Sequence, residues 1–301
     1  MRLPRVFVVA LLAGLCWVRP GAQVFRSQVD LVSFGVTVVD RKGGLVSDLT
    51  AEDFDLVEDG ARQSLSLFAR GNRAESRPDL HLGLLFDTSG SMDDDIHFAR
   101  GAAIKFLNAL PEAEDVTLVD FDTEVRVARY GQNDFARLVE RIRHRRPDGM
   151  TAFYDAIGVY LDGAAFQDGR KILVVYTDGA DTESTMGFSE MVDLLKASDI
   201  TLYAVGFLEH VPRSVVMELR LRLIRLAEMT GGQAYFPVVA KDLDRSYDEV
   251  LAEIRAQYTL GYVSTNRKPD GTWRKVRITV KRPSLKVRAR EGYFAPYRER
   301  P

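Results

Sequence analysis

From Val24 to Gly71 apolar and polar residues alternate with a period of two. "VDLVSFGVTVVDRKGG" runs into a Gly-Gly turn, and "DFDLVEDGARQSLSLFAR" repeats the alternation around Asp59-Gly60. Successive side chains of a strand point to opposite faces, so this spacing predicts half-buried strands joined by tight turns. Between Leu80 and about Tyr258 the pattern changes. "LHLGLLFD", "RKILVVYTDG" and "ITLYAVGF" are near-continuous apolar runs, as in strands covered on both faces. "DVTLVDFD", "EVRVARY" and "QAYFPV" add shorter strands. They are separated by stretches of helical spacing: "DIHFARGAAIKFLNAL", "FARLVERIRHR", "AFYDAIGVYLDGAAF", "FSEMVDLLKAS", "SVVMELRLRLIRLAEMTGG" and "DLDRSYDEVLAEIRAQY".

Buried strands alternating with helices predict an α/β fold with a doubly wound, mostly parallel sheet. After Tyr258 the period returns to two in "YTLGYVS", "WRKVRITVKR" and "LKVRAREGYF", with "KPDGTW" as a turn. Each flanking β segment is short of strands for a stable sheet of its own. The two are therefore expected to pack together as one small β-sandwich, with the α/β domain inserted between them. The expected layout is a leader over 1–22, an N-terminal β segment over 23–75, the α/β domain over 78–258 and a C-terminal β segment over 259–301.

The leader follows from the first residues. "MRLPR" is basic, "VFVVALLAGLCWV" is apolar and "RPGAQ" brings small residues, the layout of a secretory signal peptide with cleavage expected after Ala22. The apolar run is shorter than the roughly 20 residues of a membrane span. Cys16 raises a lipid anchor as the minor alternative, but Leu15 stands where a lipidation motif takes a small residue. The chain is thus expected to be secreted or periplasmic, touching a membrane only through such a lipid or an uncleaved leader. Cys16 is the only cysteine, which excludes a disulfide framework, a zinc-thiolate site and a catalytic thiol from the mature chain. The formal charge is −2, but from Arg267 to Pro301 there are twelve basic and three acidic residues. They alternate with apolar positions, the pattern of a solvated strand face, so nucleic acid is not the expected partner.

The chemistry concentrates in "LLFDTSGSMDDD". An apolar strand ends on Asp87, and Ser89 and Ser91 follow at every second position. "FDTSGS" has the look of an aspartic protease turn. That chemistry needs two aspartates sharing a proton, and only one such turn occurs, so it stays a weak alternative. A serine nucleophile lacks its G-x-S-x-G or S-x-x-K context, and His81, His97, His144 and His210 have no evident partner in the sequence. A hard-metal site accounts for more residues. Ligands of a doubly wound sheet sit at the carboxyl ends of strands near the switch point. Asp87 and Asp178 close two such strands, and Thr151 precedes a helix between them. Asp87, Ser89, Ser91, Thr151 and Asp178 make an all-oxygen set suited to Mg²⁺, Mn²⁺ or Ca²⁺. The competing reading of Asp87, Ser89 and Ser91 is a helix N-cap.

These residues resemble the von Willebrand factor type A domain and its metal-ion-dependent adhesion site. The D-x-S-x-S element matches Asp87-Thr88-Ser89-Gly90-Ser91, the threonine matches Thr151, and the T-D-G triplet matches Thr177-Asp178-Gly179. The likeness covers roughly Pro78 to Tyr258. "LTAEDFDLVEDG" and "YTLGYVSTN…DGTWRKVRITV…VRAREGYF" also resemble bacterial secreted von Willebrand factor A-related proteins.

The resemblance implies a metal-dependent protein-binding module without enzymatic activity. A divalent cation, Mg²⁺ foremost, would bridge to a carboxylate of a protein partner. It gives Asp155 the role of orienting the loop, and Asp93, Asp94, Asp95, Asp181 and Glu183 stand as a candidate rim. A metal-assisted hydrolase and a cell-envelope structural protein are the alternatives. The first needs a histidine or glutamate base beside the ion, and none is evident in these loops.

Overall fold

The computed structural model describes residues 31–71 and 78–297. The leader, its cleavage site and Cys16 lie outside them. Among the described residues no helix is long and apolar enough to cross a membrane.

The near-continuous apolar runs build one six-stranded sheet. Its strands are β5 (Leu80–Asp87), β6 (Ala113–Phe121), β7 (Val125–Gly131), β8 (Arg170–Thr177), β9 (Thr201–Gly206) and β10 (Ala234–Tyr235), in the order β10-β9-β8-β5-β6-β7. All are parallel except β7, which pairs antiparallel with β6 at the edge. Every residue of β5, β8 and β9 is buried, which is why their sequences show no alternation.

Helices cover both faces. α1 (Ile96–Asn108), α2 (Phe135–His144) and α6 (Leu243–Ala256) share a core with Leu82, Leu84 and Val174. α3 (Phe153–Ala164), α4 (Phe188–Ala197) and α5 (Arg213–Met229) pack on Leu85, Val119 and Leu173 on the other face. The chain leaves β5 toward β6 on one side, while β8 lies against the other side of β5. The switch point is therefore the gap between β5 and β8, and Asp87 and Asp178 both stand at its carboxyl end.

The two period-two segments form a pair of four-stranded antiparallel sheets. One has the order β13-β1-β11-β4 and the other β14-β12-β2-β3. β1 (Leu31–Val39), β2 (Phe54–Glu58), β3 (Ala61–Gln63) and β4 (Leu65–Arg70) come from the N-terminal side. β11 (Tyr258–Val263), β12 (Trp273–Val280), β13 (Lys286–Arg288) and β14 (Gly292–Phe294) come from the C-terminal side. Each sheet mixes the two, and Phe34, Val36, Phe54, Leu56, Tyr258, Leu260, Val276 and Ile278 fill the space between them. The β2–β3 turn is Asp59-Gly60, with φ of 45° and 87°. Positive φ at both central positions is what a two-residue hairpin demands.

The α/β domain leaves from β4 and returns through β11. These strands are antiparallel neighbours with Arg70 opposite Tyr258. Entry and exit of the insertion thus lie side by side. Gly71 marks the crossing: a Cβ there would lie 2.1 Å from the Arg255 carbonyl oxygen.

Candidate metal centre

Two adjacent strand ends assemble a string of oxygen atoms. Asp87 is fully buried, as are Thr88 and Ser89. The Ser89 hydroxyl donates to Asp87 Oδ1 at 2.6 Å, and the Ser89 N–H donates to the same oxygen at 3.0 Å. Thr177, the last residue of β8, donates its hydroxyl to Asp87 Oδ2 at 2.6 Å. Ser89 Oγ and Ser91 Oγ lie 3.2 Å apart, and Ser91 Oγ donates to Asp178 Oδ2 at 2.8 Å. Thr177, Asp87, Ser89, Ser91 and Asp178 therefore form one connected chain across the switch point. The N-cap reading of this turn is not what the molecule does. Ser89 precedes a 3₁₀ turn over Gly90–Asp95, but its side chain makes no cap hydrogen bond and turns to Asp87 instead.

The loop geometry is fixed by backbone bonds. The Thr88 N–H and hydroxyl both donate to the Phe121 carbonyl, at 2.8 and 3.0 Å. Gly90 N–H donates to Gly149 O at 3.1 Å, and Asp148 N–H to Thr88 O at 2.9 Å. This zips the 87–91 loop to the segment that carries Thr151. Thr151 is buried and held on its other side by the loop after β8. Its carbonyl accepts from Thr182 and Glu183 N–H at 2.9 and 3.1 Å, and its N–H donates to Thr182 Oγ1 at 3.0 Å. All five residues of the set thus lie on one rim. Four are linked through their side chains, while Thr151 joins the rim through its backbone.

A second pair of aspartates secures these loops. The Asp155 carboxylate accepts from Thr185 and Met186 N–H, each at 2.9 Å, so it ties the start of α3 to the loop leading into α4. Asp181 returns the favour to α3, accepting from Tyr154 N–H at 3.1 Å and from the Ser184 hydroxyl at 2.5 Å. Asp181 is thereby a cap on α3 and leaves the rim, where Asp93, Asp94 and Glu183 are exposed.

Burial and the facing Asp178 carboxylate together push the Asp87 carboxyl up to about 7, against the opposing hydrogen bonds from Ser89 and Thr177. Two carboxylates brought together in a desolvated place repel, and a cation between them removes the conflict. The donor set fits a hard divalent ion: two carboxylates, three hydroxyls, and no sulfur or imidazole in the string. No group of three or more His, Cys, Asp and Glu suited to a metal occurs among the described residues. That accords with a set in which hydroxyls outnumber carboxylates.

One expectation about a single residue needs correction. His81 has partners. Nδ1 lies 2.9 Å from Asp115 Oδ2 and Nε2 lies 2.8 Å from the Asp168 carbonyl, at the sheet end opposite the metal set. Asp120 and Asp122 do more than end a strand. The buried Asp120 carboxylate pairs with Arg126, Arg141 and Arg145, and Asp122 with Arg126 and Arg145. Alternation in β6 gave no sign of this, because the arginines lie on β7, on α2 and just after α2. Phe121, Tyr154 and Tyr176 are core residues, as their apolar contexts suggest.

The family described as "von Willebrand factor type A domain" matches residues 81–247. Among solved structures, the pilus adhesin SpaC from Lactobacillus rhamnosus GG, in an open conformation, aligns at a TM-score of 0.52 and 11% identity, over 81% of this chain and 48% of that one. The PilB minor pilin from Streptococcus sanguinis aligns at a TM-score of 0.49 and 15% identity, over 62% of this chain and 63% of that one. The vWF domain of the type V pili tip protein Mfa5 from Porphyromonas gingivalis aligns at 0.50 and 11%, over 59% of this chain and 95% of that one. This chain therefore spans less than two thirds of the pilin and of the adhesin. No curated protein sequence matches it.

Proposed function

The chain belongs to the von Willebrand factor type A domain family, and from that premise we propose that it is an exported, metal-dependent protein-binding module of the adhesive kind. Asp87, Ser89, Ser91, Thr151 and Asp178 would hold one divalent cation, with Mg²⁺ the best fit to the donors. When bound, that ion supplies a positive centre to which a carboxylate of a partner protein can add. The observation that carries the reading is the unbroken oxygen string from Thr177 through Asp87, Ser89 and Ser91 to Asp178.

The chain's own residues do the positioning. Thr177 and Ser89 hold the Asp87 carboxylate by both oxygens, so its orientation is set before any ion arrives. Asp155 and Asp181 brace the Thr151 segment against the loop after β8. Without a cation, Asp87, Asp178 and the exposed Asp93, Asp94 and Glu183 make this rim repel a partner's acid group. Binding should then depend on the metal for electrostatic reasons as much as for coordination. The similar folds include a pilus adhesin and a pili tip protein, and surface adhesion outside the cytoplasm is the role we carry to this chain.

Mg²⁺ titration of the full chain by calorimetry, with Asp87→Asn beside it, tests the site. Capture of a protein partner with and without chelator tests the role. Loss of neither binding in the variant would overturn the assignment. A metal-assisted hydrolase has one group in its favour: His210, which follows β9 and lines the same cavity as Ser91 and Asp178. Turnover of ester, phosphoester or peptide substrates that needs both Mg²⁺ and His210 would select that reading.

A further inference from the structure

The oxygen string has an apolar neighbour. A cavity of about 160 Å³ opens on Ser91 and Asp178, and its other walls are mostly apolar: Met92, Phe207, Val211, Val215 and Leu219 among them, with the His210 imidazole at one side. Phe207 and Leu219 are buried, whereas Val215 is 37% exposed and sits at the mouth. Phe207, Val211, Val215 and Leu219 come from the loop after β9 and from the first turns of α5. Their place is fixed from both sides. The Phe207 N–H donates to the Thr177 carbonyl at 3.0 Å, and Val215 N–H to the Pro212 carbonyl at 3.0 Å. Gly179, directly after Asp178, has φ +83°, and a Cβ there would lie 3.2 Å from Leu223 Cδ1. α5 can therefore press this close to the Asp178 loop because position 179 has no side chain.

We propose that this cavity is the specificity subsite of the metal centre. It takes an aliphatic side chain, of leucine size, that immediately adjoins the acidic residue of the partner. The inference rests on the metal reading above and adds to it the chemistry of the neighbouring residue. Three observations select that occupant. The cavity shares Ser91 and Asp178 with the metal set, so whatever fills it lies next to the group at the ion. Its walls offer dispersion contacts and desolvation, which suit a hydrocarbon. Its volume is close to the roughly 150 Å³ of an apolar cavity that accepts a benzene-sized group. A charged side chain would lose its water against Phe207, Val211, Val215 and Leu219, and a glycine would leave the cavity unfilled.

The test uses the full chain in Mg²⁺ and four synthetic peptides: Gly-Leu-Asp-Gly, Gly-Asp-Leu-Gly and Gly-Gly-Asp-Gly, each capped at both ends, and Gly-Leu-Asn-Gly as the acid-free control. Dissociation constants are read from methyl resonances of the protein. One of the leucine peptides should bind about tenfold tighter than Gly-Gly-Asp-Gly, moving the methyls of Val211, Val215 and Leu219, and the asparagine peptide should not bind. Val215→Trp, which fills the mouth from an exposed position, should erase the leucine preference. It should leave Mg²⁺ affinity and Gly-Gly-Asp-Gly binding unchanged. Val215→Ser, which the helix tolerates, should weaken the preference in the same direction. Equal binding of the leucine and glycine peptides, with Mg²⁺ binding intact, would overturn the subsite and leave the metal centre standing. Absence of Mg²⁺ binding in calorimetry would overturn both.

Discussion

The Ser91 hydroxyl donates to Oδ2 of Asp178 at 2.8 Å although 87 residues separate them in sequence. That bond closes the gap between the ends of β5 and β8. In a doubly wound sheet this is the place where the chain's direction of winding reverses and the loops part. The two residues arrive there from different strands, so a cation held between them would staple the switch point.

Removing the carboxylate should therefore separate metal binding from folding. Asp87→Asn keeps the size of the side chain and an acceptor for Ser89, but removes the charge. Mg²⁺ binding measured by calorimetry should be lost. The metal-free melting temperature at pH 8 should be unchanged or higher, because the variant no longer ionises a buried group. Retained Mg²⁺ affinity would exclude Asp87 as a ligand.

The same residue sets a pH dependence with an unusual sign. The Asp87 carboxyl is pushed from its ordinary 3.8 to about 7 in the metal-free fold, chiefly by burial and then by Asp178. Between those two values the folded chain keeps a proton that the unfolded chain has released. Stability without metal is thus greatest at low pH, as far as this group is concerned. It declines as pH rises from about 3.8 through about 7, by about 4 kcal/mol in full, and is level above that. Metal binding needs the carboxylate, so Mg²⁺ affinity should fall as pH drops from 8 to 6, with close to one proton released per ion at the lower pH. Calorimetry in two buffers of different ionisation enthalpy reads that proton directly. An affinity that stays level across this range would contradict the environment assigned to Asp87.

Much of this centre was legible because its residues sit where a local pattern changes. Asp87 ends one apolar run and Asp178 follows another directly, while Thr151 stands where helical spacing begins. A period-reading eye finds such boundaries without knowing the fold. The sandwich was legible as two period-two segments too short to stand alone. Its strand order was not, because β1 pairs with β11 across more than two hundred positions. The pairs His81–Asp115 and Asp120–Arg141 escaped for the same reason: charged residues inside strands read as exposed until the neighbouring strand or helix is known. The cavity beside Ser91 is also silent in sequence. Phe207, Val211, Val215 and Leu219 look like ordinary loop and helix residues, and only the tight approach at Gly179 sets them beside Ser91 and Asp178.

Gly179→Ala tests that approach. The substitution strains a left-handed backbone, by about 1–2 kcal/mol, and places a methyl 3.2 Å from Leu223. Urea unfolding should show this loss. Asp178 should be displaced with it, so Mg²⁺ affinity should weaken several-fold while Asp87 and the serines stay in place. A variant of full stability and full affinity would show that α5 yields easily and that its wall of the cavity is soft.

Asp155→Ala tests the bracing of Thr151 without touching any donor. Two backbone N–H groups, of Thr185 and Met186, lose their acceptor. The expected loss is about 1–2 kcal/mol by urea unfolding. Hydrogen exchange should quicken at residues 185 and 186 before it does in β5 or β8. Mg²⁺ affinity should fall less than in Asp87→Asn, since Asp155 acts through the loop. If affinity collapses as completely as with Asp87→Asn, Asp155 belongs to the metal set itself.

The sandwich carries a polar tie of its own. Glu58, at the end of β2, is 2% exposed and accepts from the hydroxyls of Tyr262, Tyr293 and Ser264 at 2.7, 2.9 and 2.6 Å. Tyr262 lies on β11 in one sheet and Tyr293 on β14 in the other. One glutamate from the N-terminal segment thus binds two strands of the C-terminal segment, across both sheets. Glu58→Ala removes the acceptor of three hydroxyls, two of them on buried tyrosines, and should cost about 3 kcal/mol. Glu58→Gln keeps the shape and one oxygen, and its amide can donate to a hydroxyl that turns to accept. Its loss should be nearer 1 kcal/mol. The two variants should unfold in urea in that order, with Mg²⁺ affinity unchanged in both, because β2 is remote from the carboxyl end of β5. A Mg²⁺ affinity that drops with Glu58→Ala in the folded protein would mean that the sandwich and the metal centre are coupled.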